Sequence, residues 1–364
     1  MAQTPSLSRD CLVLCACRGK EYKVRDAIAA AFYRGDLEPL WKEFLCSVQA
    51  EQRANELELE LDDDAVGEMA ERFRYERDLI TAEETERWLE QHGVTLEDFS
   101  DYFARRHWRV ALEEHIAPNG PDFVSAPGEL RDLFTAELMF DDQLEVLTKQ
   151  LMRRLAVHAA TGVDGIDAKE IATERRQFLD RNKIQTSKLG GWLDQIERNE
   201  DWLEETAVME VLYRHSCESV LNSQARKKQL AILRMPLTRF EAEVIEVESL
   251  DAAKEALFCI REDGMSMEEV ASEARYPHRR ISFRHEDVPA ELQQKFWSVT
   301  AGDLLEPLPR GDSFELYRIT HKSEPDLSDA TVQERIDERL LEQHFAELVR
   351  DHVQVRLETA AQTQ

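Results

Sequence analysis

The amino-acid sequence lacks any apolar run long enough to cross a membrane. A spanning helix needs about 20 consecutive apolar residues, and no part of the chain comes near that length. The sequence also lacks the pattern of a secretory signal, because the short apolar segment Cys11–Cys17 runs directly into Arg18 and Lys20. We therefore expect a cytoplasmic protein without membrane insertion.

Basic residues are scarce relative to acidic ones. The 364 residues include 46 Lys and Arg against 74 Asp and Glu, which gives a formal net charge of -28. Binding of nucleic acid needs a basic surface that displaces counterions from phosphates, so this balance argues against nucleic acid as a partner. An unfolded or precursor polypeptide with basic segments is a partner that such a charge attracts.

Glycine and proline are also sparse, with 13 and 11 residues, whereas 33% of the residues are charged. This composition favours long helices, and the pattern of residues 1–60 predicts helix there. Three of the six cysteines lie in Cys11–Cys17, where the apolar spacers fit a buried segment better than a metal site. We expect neither a metal nor a cofactor.

Two stretches, 72–99 and 176–202, share a sequence pattern. Each contains a Trp-Leu pair, with the tryptophans at Trp88 and Trp192. The pattern predicts two related helical units in which these tryptophans anchor the core. The Pro-Gly clusters within 117–128 predict a linker between the two units.

After Pro236 the pattern changes from helical to mixed. Glu241–Val247 alternates apolar and charged residues, as half-buried strands do. Capping signals and chain breaks then predict the order β-α-α-β-α-β-β, and the residues from Ser328 onward predict one amphipathic helix. The predicted domains are a helical unit at 1–125, a second helical unit at 126–236, a mixed domain at 237–325, and a C-terminal helix at 326–364 that packs back on the helical body.

Four short segments of the mixed domain follow one another in a familiar order. They are Gly264-Met-Ser-Met-Glu-Glu-Val-Ala271, Phe296-Trp-Ser-Val-Thr-Ala-Gly302 with Pro307-Leu308, Phe314-Glu-Leu-Tyr-Arg-Ile319, and Lys322-Ser-Glu-Pro325. Together they resemble the parvulin (PpiC-type) domain of prolyl isomerases. The helical part with its returning C-terminal helix is similar to SurA-type chaperones, including relatives proposed to assist the maturation of ribosomally made peptides.

The resemblance implies a mainly α fold with a C-terminal α+β domain. The helical body is expected to contain two related units, of which 126–236 is similar to the N-terminal domain of SurA, together with the returning C-terminal helix. The α+β domain is expected to contain a four-stranded antiparallel sheet with helices packed against it.

The catalytic histidines of the parvulin family are missing. The family has one histidine on the first strand and one on the last, and the equivalent positions here are about Val244 and Glu315. The family's glycine-rich segment is also absent, because no glycine lies between residues 264 and 302. Uncatalysed isomerisation has a barrier of about 18–20 kcal/mol, so we assign no catalytic residue and expect the activity to be weak or absent. His278 and His285 are expected to lie in a solvated loop.

The apolar half of the family's pocket is retained in part. Leu292 and Phe296 fall near the proline-binding positions of the family, and Phe283 can line the same groove. These three residues, with Glu315 at the former histidine position, are the ones that we expect to contact a bound peptide. The competing interpretation is that the three apolar residues belong to an ordinary core.

These observations predict a peptide-binding chaperone or escort, which assists the maturation or export of a ribosomally made peptide. Two alternatives remain open at this point. One is an active prolyl isomerase with an unusual pocket, and the other is a structural adaptor in a modification or secretion complex.

Overall fold

The computed structural model describes residues 9–112, 116–162 and 166–356. The chain divides into two compact units. We call residues up to Glu218 together with those from His344 onward the helical unit, and Ser219–Gln343 the sheet unit. Within the described ranges, no helix is long and apolar enough to span a membrane.

Helices dominate the structure, and the strands form two small antiparallel sheets, which confirms the predicted fold class. In chain order the helices are α1 (Val24–Arg34), α2 (Leu37–Glu56), α3 (Asp63–Glu76), α4 (Ala82–His92), α5 (Leu96–Ala111), α6 (Gly128–Phe140), α7 (Gln143–Thr161), α8 (Ala168–Arg181), α9 (Leu189–Gln195), α10 (Glu200–Val220), α11 (Ser223–Ile232), α12 (Leu250–Arg261), α13 (Met267–Ala274), α14 (Ala290–Ser298) and α15 (Ala330–His352). In the same order the strands are β1 (Val13–Cys17), β2 (Lys20–Lys23), β3 (Arg239–Val247), β4 (His278–Arg284), β5 (Leu308–Arg310), β6 (Ser313–Ser323) and β7 (Val353–Val355).

Several helices begin at the capping residues that the sequence predicts. The side chains of Thr81, Thr95 and Ser266 each accept a hydrogen bond from the backbone N–H three residues later. In each case the acidic side chain at that later position accepts a bond from the capping residue's own N–H, which completes a capping box. Local sequence therefore fixes these boundaries before any tertiary contact forms.

The N-terminal residues are not helical throughout, contrary to the prediction. Strand β1 lies between β2 and β7, in the order β2-β1-β7. Arg18 and Gly19 connect β1 to β2, and both have positive φ, as a two-residue type I′ hairpin turn requires. Four of the five residues of β1 are buried, so the strand shows no apolar-polar alternation that sequence reading could detect.

The two stretches that share the predicted pattern each lie on three successive helices of the helical unit. Helices α3, α4 and α5 carry the first stretch, and α8, α9 and α10 carry the second. A relation between two units stays a prediction. Trp88 of α4 is buried, whereas Trp192 of α9 is half-buried.

The predicted boundary between residues 125 and 126 does not separate two bodies. One hydrophobic cluster of the helical unit includes buried residues from both sides of it, from Leu14 to Met209. The rings of Phe44 on α2 and Phe134 on α6 lie 5.2 Å apart within that cluster. Helices on the two sides of the boundary bury their apolar stripes against each other, and this makes them a single unit.

The Pro-Gly segment between α5 and α6 is also not a free linker. Trp41 of α2 donates a hydrogen bond from Nε1 to the carbonyl oxygen of Pro121 at 2.9 Å. Gly120 approaches Leu45 so closely that a Cβ atom on it would lie 2.9 Å from that side chain. A larger residue at position 120 would require the Leu45 side chain to move, so the segment packs directly against the helical unit.

The predicted order β-α-α-β-α-β-β is confirmed in the sheet unit, as β3, α12, α13, β4, α14, β5 and β6. The sheet order is β4-β3-β6-β5, so β3 and β6 are the inner strands. Ile245 and Val247 of β3 pack with α12 and α13, whereas Phe240, Ala242 and Val244 pack on the opposite side with α14. Strand β3 is therefore covered on both faces.

The C-terminal helix α15 contributes to both cores. In the sheet unit, Val332 and Ile336 form a cluster with Leu237. In the helical unit, Phe345 stacks on Tyr213 with ring centroids 4.9 Å apart, and β7 pairs with β1. The amphipathic stripe that the sequence predicts is thus buried in two parts along one helix.

The two repeat tryptophans should differ in their contribution to stability. We expect Trp88→Ala to lower the free energy of unfolding by about 3–5 kcal/mol, because it opens a cavity in the core. Trp192→Ala should cost less, about 1–2 kcal/mol, because part of the side chain is already in water. Urea unfolding followed by circular dichroism measures both losses, and equal losses would contradict the difference in burial.

Candidate functional site

One side of the larger sheet carries the residues that the sequence singles out. Alternate residues of paired strands point to the same side, and the register places Ile281 opposite Ala242, Phe283 opposite Phe240 and Tyr317 opposite Val244. Helix α14 packs against this side. We call it the α14 face, and its apolar members are Phe240, Ala242, Val244, Ile281, Phe283, Leu292, Phe296, Tyr317 and Ile319.

Three of the four predicted peptide-contacting residues meet on the α14 face. The rings of Phe283 and Phe296 lie 5.3 Å apart at an interplanar angle of 87°, and Leu292 belongs to the same cluster. Phe296 is only 3% exposed, whereas Phe283 and Leu292 are half-buried. Phe283 and Leu292 therefore retain surface that a ligand can contact, and Phe296 supports them from within the core.

Tyr317 is a member of the site that the sequence interpretation missed. Its ring lies 5.3 Å from that of Phe296 and 6.4 Å from that of Phe283, edge-to-face in both cases. Its hydroxyl donates a hydrogen bond to Oε2 of Glu315 at 2.6 Å. The alternation along β6 places Tyr317 on the same side as Glu315, so the signal for it was present in the sequence.

Glu315, the fourth residue, is an internal charge, and its contact with a peptide stays a prediction. It is 4% exposed. Oε1 is in direct contact with the guanidinium groups of Arg279 on β4 and Arg310 on β5. Because Tyr317 occupies Oε2, both carboxylate oxygens already have partners. The pKa of Tyr317 is raised, chiefly by burial of its hydroxyl and secondly by the hydrogen bond to the carboxylate of Glu315.

A second carboxylate extends the ion pairs across the sheet. Glu246 of β3 lies opposite Glu315 in the register. Its Oε2 lies 3.7 Å from Nη1 of Arg279, and its Oε1 accepts a hydrogen bond from the hydroxyl of Ser313 at 3.0 Å. Arg279 thus contacts a carboxylate on each of the two inner strands, and like charges on neighbouring strands are tolerated because cations lie between them.

The two histidines nearest the sheet do not lie in a solvated loop, contrary to the prediction. His278 is in β4 opposite Ile245, which places it on the side away from α14, and its Nε2 is buried without a hydrogen-bond partner. His285 is 3% exposed in a short 3₁₀ turn. Its Nε2 lies 2.9 Å from the carbonyl oxygen of Gln293, and a carbonyl only accepts, so this nitrogen carries a proton.

The chemistry available on the α14 face follows from these positions. Val244 and Glu315 occupy the strand positions where the resemblance places histidines, and the described strand residues of this face include no imidazole. Both carboxylate oxygens of Glu315 are already bound, Oε1 by the two guanidinium groups and Oε2 by the hydroxyl of Tyr317. The half-buried apolar side chains of the face can contact an apolar group.

Neither a family model nor a curated protein matches this chain. Solved structures do match it. The peptidylprolyl isomerase PrsA of Bacillus cereus is 13% identical over 59% of this chain and 85% of its own, with a TM-score of 0.36. PrsA of Bacillus anthracis is 13% identical over 56% of this chain and 93% of its own, with a TM-score of 0.28. A SurA-like chaperone of Campylobacter jejuni is 12% identical over 60% of this chain and 89% of its own, with a TM-score of 0.19.

These matching structures are PrsA foldases and SurA-like chaperones, the kind of protein that the sequence motifs resemble. At such identities and TM-scores the likeness carries no argument of its own. The fold stands on the element order, the strand register and the clusters described above.

The stability of the sheet unit should depend on the two cations beside Glu315. We expect Arg279→Ala combined with Arg310→Ala to lower the free energy of unfolding by about 1–3 kcal/mol, because the buried carboxylate then lacks a partner cation. Replacing the carboxylate as well, by Glu315→Leu, should recover most of that loss. The midpoint of urea unfolding reports both changes.

The matched control is Arg280→Ala. Arg280 of β4 pairs with Glu243 of β3, but the arginine side chain is 76% exposed. Its loss should therefore change the free energy of unfolding by less than about 1 kcal/mol. If the double arginine variant unfolds at the same urea concentration as the parent, the cations do not stabilise Glu315.

Proposed function

We propose that this protein is a polypeptide-binding chaperone or escort, which holds apolar segments of unfolded or precursor chains on the α14 face without isomerising them. The observation that carries the proposal is the combination found at this face. Its aromatic cluster persists, with Phe283 and Leu292 half-buried, while the carboxylate of Glu315 is held by Arg279 and Arg310 where catalysis would need an imidazole.

Helix α14 also carries one exposed aromatic residue. Trp297 of α14 is 42% exposed, and Nζ of Lys322 lies 4.7 Å from the centroid of its indole ring. Lys322 donates hydrogen bonds to the carbonyl oxygens of Trp297 and Val299 at 2.7 and 2.9 Å, which holds the end of α14 against the sheet. A client that covers Phe283, Leu292 and Trp297 gains about 25 cal/mol per Å² of apolar surface removed from water.

A cytoplasmic location, basic clients and a role in the maturation or export of a ribosomally made peptide stay predictions from the sequence. The adaptor alternative differs in its partner, which would be a large enzyme or transporter instead of a short precursor.

Suppression of aggregation tests the proposal. The protein should reduce the light scattering of a chemically unfolded client diluted into buffer. Phe283→Ser should weaken this effect several-fold, because it removes a ring that a client can contact. The matched control is Phe258→Ser on α12, because Phe258 is 58% exposed but lies outside the α14 cluster. Equal effects of the two variants would argue against the α14 face.

A proline-peptide assay coupled to a protease separates holding from catalysis. We expect no acceleration of cis-trans exchange above the uncatalysed rate, because Val244 and Glu315 occupy the strand positions where the resemblance places histidines. Acceleration that is lost in Phe296→Ala would overturn this expectation and favour an isomerase with an unusual pocket. A variant that loses acceleration must also be checked for folding by circular dichroism, since Phe296 is a core residue.

A further inference from the structure

The helical unit contains a cavity of about 410 Å³ that is lined by α2, α5, α6 and the start of α7. We call it the Glu137 cavity, after the residue of α6 that decides its chemistry. Its apolar lining comes from Leu40, Phe44, Val110, Phe134 and Leu138. A space of this size, with an apolar wall and a few polar groups, is typical of sites for small molecules.

Two of the polar side chains that line the Glu137 cavity are buried. Glu137 is 8% exposed and Ser47 of α2 is 7% exposed. Ser47 follows Phe44 by three residues, and Glu137 follows Phe134 by three residues. Residues at that spacing are neighbours on a helix surface, so both polar groups lie next to the ring pair that brings α2 and α6 together. The little surface that they keep opens into the cavity.

The carboxylate of Glu137 is only partly satisfied by the protein. Nε of Arg105 donates a hydrogen bond to Oε2 at 3.1 Å. Nη2 of Arg105 is buried without a hydrogen-bond partner, so the pair is not the two-bonded fork that arginine can form with a carboxylate. Among the residues that the structure describes, no donor reaches Oε1 of Glu137 or the hydroxyl of Ser47. A ligand in the cavity can supply one.

The cavity is next to the carboxylate of Glu137 and not to its partner cation. Arg105 is 2% exposed and is not a lining residue. Asp141, a second lining carboxylate, is already bound by Nη1 of Arg106 at 3.0 Å and by the hydroxyl of Tyr102. The remaining charges of the lining, on Glu43 and Arg109, are opposite in sign. The open buried oxygen of Glu137 therefore distinguishes this cavity chemically.

The protonation of Glu137 shows that Arg105 does not fully stabilise its charged form. Burial raises the pKa of Glu137 to about 7, although Arg105 lowers it, and Asp141 raises it further. The carboxyl group thus takes up a proton near neutral pH with a guanidinium group 3.1 Å away. A second cationic donor beside Oε1 would stabilise the charged carboxylate.

We propose that the Glu137 cavity binds a small primary amine with an apolar body. The ammonium group has three donors and no acceptor, so it can donate to Oε1 of Glu137 and to the hydroxyl of Ser47. The apolar body contacts the wall at Leu40 and Val110. This site is a further one in the helical unit, and it does not depend on polypeptide binding at the α14 face.

Three matched ligands test the class of ligand on the full-length protein. Phenethylamine, phenethyl alcohol and phenylacetate share a ring and a short chain, and they carry a positive, a neutral and a negative end. In isothermal titration calorimetry we expect the amine to bind about tenfold more tightly than the alcohol, and phenylacetate to bind most weakly. Equal binding of amine and alcohol, tighter binding of phenylacetate, or no binding of the amine would overturn the proposal.

A substitution at the carboxylate locates the site. Glu137→Gln should weaken the amine about tenfold and leave the alcohol unchanged. The matched control is Glu86→Gln, an exposed glutamate of α4 that does not line the cavity, and it should leave both affinities unchanged. Amine binding that survives Glu137→Gln would show that the ligand lies elsewhere.

A second variant covers the case in which Glu137→Gln disturbs folding, which circular dichroism detects. Ser47→Ala leaves the contact between Arg105 and Glu137 in place and should weaken the amine about threefold, because one acceptor of the ammonium group is lost. An unchanged affinity in this variant would contradict the proposed position of the ammonium group.

The pH dependence of binding tests the unsubstituted protein. Only the charged carboxylate attracts the ammonium group, and the pKa of Glu137 is about 7. The affinity of the amine should therefore fall about tenfold from about pH 8 to about pH 6, whereas the affinity of the alcohol should stay constant. An amine affinity that is equal at both values would overturn the proposal.

Other charged groups surround Glu137, and the pH test must separate their titration from its own. They are Glu43 of α2, Arg105, Arg106 and Arg109 of α5, and Asp141 of α6. The fall in amine affinity should be absent in Glu137→Gln, because that variant keeps all of these groups and loses only the carboxylate. A fall of the same size in the variant would assign the pH dependence to another group and contradict the proposal.

Discussion

A single carboxylate, that of Glu315, constrains both the architecture and the chemistry of the sheet unit. An uncompensated charge at this depth would be costly, so the strands around β6 must supply cations. Arg279 from β4 and Arg310 from β5 do so, and the arginines thereby tie both edge strands to one inner strand. The same arrangement gives both oxygens of Glu315 a partner, so this carboxylate is part of the interior of the sheet unit.

The apolar part of the α14 face lies beside this ion-pair network. Phe283, Phe296 and Tyr317 contact one another edge-to-face, and such contacts add to the stability that burial alone provides. Tyr317 links the aromatic cluster to the ion-pair network. Its ring packs in the cluster, and its hydroxyl donates a hydrogen bond to Glu315 of the network. The aromatic cluster and the ion-pair network are therefore parts of one packed arrangement.

The sequence allowed the sheet unit to be predicted in detail, because its signals are local. Alternation identified β3, and Ser266 with Glu269 marked the start of α13. The small sheet of the helical unit was not predicted, because β1 is buried on both sides and pairs with β7 at the other end of the chain. The burial of Glu315 and its pairing with Arg310 depend on the register between β5 and β6. This register cannot be derived from the amino-acid sequence of the two strands alone.

The net charge and the charges of one surface act over different distances. A net charge of -28 acts at long range, but at physiological ionic strength its field is screened within about 8 Å. Contact energies at a surface are set by the few groups that line it. On the α14 face those groups are apolar rings beside a carboxylate that is already paired with two arginines, so the net charge and this face act on different features of a bound chain.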